Sequence, residues 1–170
     1  MGADEFLAYQ EGTDADESFR AAVANAQWEY GSGGYTGSIA EKAGEGFVIV
    51  SAEPVDLGEA GKMAFSVLRG DDERWAEIRD KWGRAGGIAV KGGRREHEVK
   101  IPAVPGGHAD LDAAVAAAVS GVLVPGEHVV YGTSGSYRTA GVRVLGGTVT
   151  VPTEGAQVHT GWLWIGIAPS

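Results

Sequence analysis

The chain predicts an α+β fold, a mainly antiparallel or mixed sheet with three to four helices packed on it and a central C-terminal strand. Three observations carry that prediction. Segments of helical period and segments of alternating or continuous apolar residues follow one another without a regular strand–helix–strand rhythm. The 28 Gly and 6 Pro sit between apolar runs as turn punctuation, with no period of three. The last apolar stretch, Val158–Ala168 (VHTGWLWIGIA), is apolar on both alternating faces, the pattern of a strand buried on both sides.

Residues 1–13 are acidic and predict a loosely held terminus. Asp14 or Asp16 can then cap a helix, with Glu17 three residues after Asp14 as in a capping box. Phe19, Val23, Ala26 and Tyr30 share its inner face, Trp28 lies off that face, and Gly31 ends it. GSGGYTG (Gly31–Gly37) has four glycines in seven residues and reads as a loop. Ser38–Lys42 predicts a short strand and Phe47–Ser51 a stronger one, with Pro54 as a break. Asp56 can cap a helix that places Leu57, Ala60, Ala64 and Leu68 together. A second helix spans Asp72–Trp82, with Trp75, Ile78 and Trp82 on one face and core packing as the default for Trp75, Trp82 and Trp164. Gly87–Lys91 and Glu96–Val104 read as a hairpin turning at Gly92-Gly93. Asp110 caps a helix over Leu111, Val115, Ala118, Val119 and Val122. Strands at His128–Gly132, Tyr137–Leu145 and Thr148–Val151 precede the last one. A length of 170 residues predicts a single domain over 1–170, and the turn-rich breaks near 105 and 153–157 mark 92–157 as an insertion or sub-layer within it.

Composition removes several chemistries. With no Cys, disulfides, zinc fingers, iron–sulfur clusters and thiol catalysis are excluded. The formal charge of −9 argues against nonspecific nucleic-acid binding, which needs cations to neutralise phosphates. The start MGADEFLAYQ lacks the basic and apolar regions of a secretory signal, and Leu111–Val124 is too short and too interrupted to span a bilayer, so a cytoplasmic protein without membrane association is expected. His97, His108, His128 and His159 show no ligand spacing, no cofactor fingerprint is present, and neither metal nor cofactor is expected.

Two segments, YGSGGYTGSIAEK (Tyr30–Lys42) and DKWGRAGGIAV (Asp80–Val90), resemble motifs of a small phage and bacterial protein family. In that family an N-terminal helix leads to a Gly-Tyr-Thr/Ser-Gly-x-Ile-Ala-Glu-Lys segment, a Lys-Trp-Gly-x-Ala-Gly segment follows, and a Trp-containing strand ends the chain. The resemblance covers roughly residues 17–52, 72–91 and 158–170, and the family members are shorter, which makes 92–157 an expansion. It implies a phage origin, with action in the host cytoplasm, and no reaction, because the family has no established activity.

The loop Gly31–Lys42 is the first candidate site. Tyr35, Thr36, Ser38 and Lys42 offer binding groups and Glu41 a carboxylate for acid/base work. The competing reading is a tight connector, since the loop follows a helix C-terminus whose dipole repels anions. In an extended segment Glu41 would share the core-facing side with Ile39, Lys42 would face away, and Arg69, Arg84 or Arg138 could pair with Glu41. The second candidate is Gly132–Arg138 (GTSGSYR), where Arg138 could hold an anion, against the plain reading of a polar hairpin loop. Two functions compete: a non-enzymatic accessory protein that binds a host or phage protein or a small anionic ligand, and a small enzyme acting on a nucleotide-like anionic ligand. A structural virion component is a third.

Overall fold

The computed structural model of the protein describes residues 2–130 and 143–170. The fold is α+β, and it divides into two compact units, one of residues 2–93 with 158–170 and one of residues 94–157.

The first unit is built around β7 (His159–Pro169). Its sheet has the order β1-β7-β3-β2, so the C-terminal strand lies inside it, antiparallel to both β1 (Ala3–Glu11) and β3 (Ala85–Lys91), while β2 (Phe47–Asp56) runs parallel to β3. Both faces of β7 are apolar, and each needs its own helical layer. Trp162, Trp164 and Ala168 pack with Ala85 and Ala89 beneath α1 (Ala15–Tyr30), which contributes Phe19, Ala22, Val23 and Ala26. Leu163 and Ile165 on the other face meet Ile88 and Val90, covered by Ala60, Ala64, Val67 and Leu68 of α2 (Leu57–Arg69) and Ile78 of α3 (Ala76–Arg79). The fully buried Trp164 donates its indole N–H to Ser18 Oγ at 3.1 Å, and Phe19 and Phe47 meet its ring at 5.2 and 4.8 Å. The ring lies against the backbone of β3 at Gly87, where a Cβ would come within 2.5 Å of it.

Several local expectations hold. Asp14 caps α1 by accepting from the Glu17 N–H at 2.8 Å, and the Gly31 N–H closes the helix on the Gln27 carbonyl at 2.9 Å. Other expectations fail for tertiary reasons. The acidic N-terminus is not loose: Phe6, Leu7, Ala8 and Tyr9 sit in the middle of β1 and pair with Gly166 to Leu163. Pro54 does not end its strand, because β2 lies at the sheet edge and absorbs the missing donor where its register against β3 shifts between Ser51 and Val55. The helix expected over Asp72–Trp82 shrinks to a 3₁₀ turn (Glu73–Trp75) and the single turn of α3. Trp82 is 53% exposed and not core, since the chain has already turned at Asp80.

The second unit has a sheet of order β4-β6-β5, formed by β4 (Arg95–Ile101), β5 (His128–Val129) and β6 (Gly147–Glu154). The hairpin expected at Gly92-Gly93 does not form: β3 pairs with β2 and β7, and β4 pairs with β6. Val115 and Val119 of α4 (Leu111–Val119) cover Val99 and Val151. Asp110 caps this helix through the Ala113 N–H at 2.7 Å. The expected strand Tyr137–Leu145 and the loop Gly132–Arg138 fall largely or wholly outside the described residues.

Replacing Trp164 with Ala should cost about 3–5 kcal/mol in a chemical denaturation experiment, because it opens a cavity bounded by the rings of Phe19, Phe47 and Trp162 and takes the indole donor from Ser18. Gly87→Val should be destabilising too, by driving the β3 backbone off the Trp164 ring.

Candidate functional site

Ser38 ends the glycine-rich loop by capping a 3₁₀ turn, Ile39–Lys42, with its Oγ accepting from the Ala40 N–H at 3.3 Å. The segment is therefore a tight turn and not the expected strand, and the faces change with it. Ile39 and Lys42 both point inward and are fully buried, while Glu41 is half-buried. Lys42 drives its ammonium into the carbonyls of Asp80 (3.3 Å), Lys81 (2.9 Å) and Gly83 (2.8 Å). Its three donors meet three acceptors, which fastens the turn to the segment after α3. Burial pushes the Lys42 ammonium below its usual value, opposed by the charges of Asp80, Glu45 and Glu41. The two segments that carry the sequence resemblance are thus two halves of one joint, and Lys42 has no donor left for a ligand.

Glu41 makes a second closure. One of its oxygens accepts from the Thr36 N–H at 3.0 Å and from Thr36 Oγ1 at 2.9 Å, and Thr36 Oγ1 also meets Ser38 Oγ at 2.8 Å. The arginines expected as partners lie elsewhere, Arg69 on Glu5 and Arg84 on Glu77. Tyr35 adopts a left-handed φ of 60°, the price of turning directly after Gly34, and its ring stands edge-on to Trp82 at 6.4 Å. Both rings are half exposed. Arg138 lies outside the described residues.

The concavity beside this loop is a groove of about 560 Å³ along β1, between that strand and α1. Phe6, Ala22, Ala26 and Ile39 supply its apolar lining, the exposed Glu29 stands beside them, and Thr36, Gly37 and Ser38 also line it. Among the described residues that line it, Glu5 and Glu29 are acidic and none is basic, and the Glu5 carboxylate itself points to the α2 side of β1, where it meets Arg69. Of the sequence candidates, Thr36 and Ser38 reach this groove, whereas Tyr35, Glu41 and Lys42 are not among its lining residues. An acidic terminus that predicts a loose tail hides both β1 and the groove beside it from the sequence. The four-residue apolar run FLAY (Phe6–Tyr9) was the signal available for a strand there.

The second unit holds a buried carboxylate. Glu127 accepts from Thr153 Oγ1 at 2.6 Å, from His97 Nε2 at 2.8 Å and from the Val124 N–H at 3.1 Å, and Arg95 stands 3.5 Å away. Burial pushes its pKa up, but the hydrogen bonds from Thr153, His97 and Val124 and the charge of Arg95 outweigh it and hold the carboxyl at about 2. All of these partners face the carboxylate from β4, β6 and the 124–127 turn, so the cluster joins the ends of its unit. Among the described residues no three His, Cys, Asp or Glu side chains are arranged to hold a metal ion, and no helix is long and apolar enough to cross a membrane. Comparison with protein families, curated proteins and solved structures finds no match.

Lys42→Met keeps the length of the stem and removes the ammonium, taking the Lys42 donor from the Lys81 and Gly83 carbonyls while the Asp80 carbonyl keeps the Gly83 N–H; it should lower unfolding stability by about 2 kcal/mol. Because Glu127 has a folded pKa below its ordinary 4.5, its contribution of roughly 3 kcal/mol is complete above that value and is lost as pH falls toward about 2. Urea titrations across that range should show a steeper loss of stability for wild type than for Glu127→Gln.

Proposed function

We propose that this protein is a non-enzymatic accessory protein, of phage type on the resemblance of its two motifs, that binds a protein partner in the groove between α1 and β1. The observation that carries this reading is the groove's make-up: an apolar floor of Phe6, Ala22, Ala26 and Ile39 beside the exposed carboxylate of Glu29. An apolar floor with a rim of one charge suits a basic, partly apolar peptide surface. It disfavours the small anionic ligand of the alternative reading, which the Glu29 carboxylate would repel. The enzymatic alternative loses support from the same geometry, since Glu41, its acid/base candidate, is engaged with Thr36 and Lys42 is enclosed by carbonyls.

Selecting a random linear peptide library on the purified protein tests this. Enriched peptides should be basic, and Glu29→Lys should weaken them at least tenfold, about 1.4 kcal/mol. Glu59→Lys, an equal charge change on the exposed start of α2, should have little effect. Peptides indifferent to Glu29→Lys would place the binding site elsewhere.

A further inference from the structure

We infer that the partner binds as an added β-strand on the edge of β1 at Glu5–Leu7, an extended basic segment that lies in the groove and extends the sheet. The inference rests on the groove being the binding site and adds the mode of recognition.

The edge follows from the register. Gly2 and Ser170 exchange both backbone hydrogen bonds, at 3.0 and 3.3 Å, and the Gly12 N–H reaches the Thr160 carbonyl at 3.0 Å. Between these two points the antiparallel ladder alternates, so Asp4, Phe6, Ala8 and Gln10 turn their N–H and C=O groups toward β7. Glu5 and Leu7 therefore turn theirs outward, and among the described residues β1 has β7 as its sole neighbour.

The two edges of this sheet differ in how they are protected. β2 carries Pro54 and two register shifts, devices that prevent a further strand from pairing. The nine residues of β1 contain neither Pro nor Lys, run in unbroken register against β7, and expose Leu7 at 54%. The groove lies along this same strand, so a chain pairing with Glu5 and Leu7 would pass between β1 and α1 with alternate side chains over the apolar floor.

The charge distribution selects the occupant. Glu29 stands beside the path on the α1 side, Glu5 on the opposite face of β1, and Asp4 next to Gly37, and the chain as a whole carries −9. A second copy pairing edge to edge would bring two acidic edges together, whereas a segment alternating basic and apolar residues would neutralise these carboxylates. Glu5 is held only by an exposed pair with Arg69 at 3.3 Å, which a competing cation can displace.

Peptides selected on the protein from the random linear library serve as the probe, and amide hydrogen exchange followed by NMR provides the decisive measurement. In the free protein the Glu5 and Leu7 amides should exchange quickly while those of Phe6 and Ala8 are protected. On binding, Glu5 and Leu7 should gain at least tenfold protection. Leu7→Pro removes one outward donor without touching the β1–β7 ladder and should weaken binding at least tenfold. The exchange measurement on wild type decides the matter even if that variant fails to fold. Binding that depends on Glu29 but leaves the Glu5 and Leu7 amides unprotected would overturn strand addition and leave the groove as the site. Binding insensitive to both Glu29→Lys and Leu7→Pro, or a library that yields no binder, would overturn both readings. Sedimentation showing a dimer that Leu7→Pro dissolves would assign the edge to a second copy and overturn the inference.

Discussion

Burial of β7 on both faces is the constraint from which the first unit follows. A strand with Trp162 and Trp164 on one side and Leu163 and Ile165 on the other cannot lie at an edge or on an open face. It must have strands on both sides and helices above and below. β1 and β3 supply the first, α1 and the α2–α3 pair the second. The demand also fixes details: Gly87 is required because the Trp164 ring occupies the place of its side chain, and Ser18 is buried because the indole N–H needs an acceptor in an apolar layer.

A large core leaves polar ends that have to be satisfied, and buried charges do this in each unit. Lys42 collects three carbonyls of the segment where α3 stops after a single turn. Glu127 collects a hydroxyl, an imidazole and a backbone N–H where β4 and β6 meet the 124–127 turn. In both cases one flexible charged side chain replaces several separate caps. Each is costly to remove, because the groups it serves stay buried after it is gone. Their full engagement directs attention away from the charged residues and toward the groove, where backbone donors and acceptors on an edge strand lie beside apolar surface.

What the sequence could determine is local or compositional. Asp14, Asp110 and Gly31 act within one turn of where they stand, so caps and helix ends were legible. The two-sided apolar pattern of residues 158–168 specified an interior strand, because no other environment removes both faces from water. The α+β class followed from the order of such segments. Tertiary structure decided the rest. Residues 3–11 become a strand because β7 offers a row of hydrogen-bonding groups to pair with, a partner that the short apolar run Phe6–Tyr9 cannot specify by itself. Ser38–Lys42 winds into a 3₁₀ turn and not a strand because Lys42 reaches carbonyls some forty residues away in sequence, and that contact reverses which of Glu41 and Lys42 is buried. Sequence sets which groups must be paired or hidden; only the folded chain decides with what, since the partners come from distant segments.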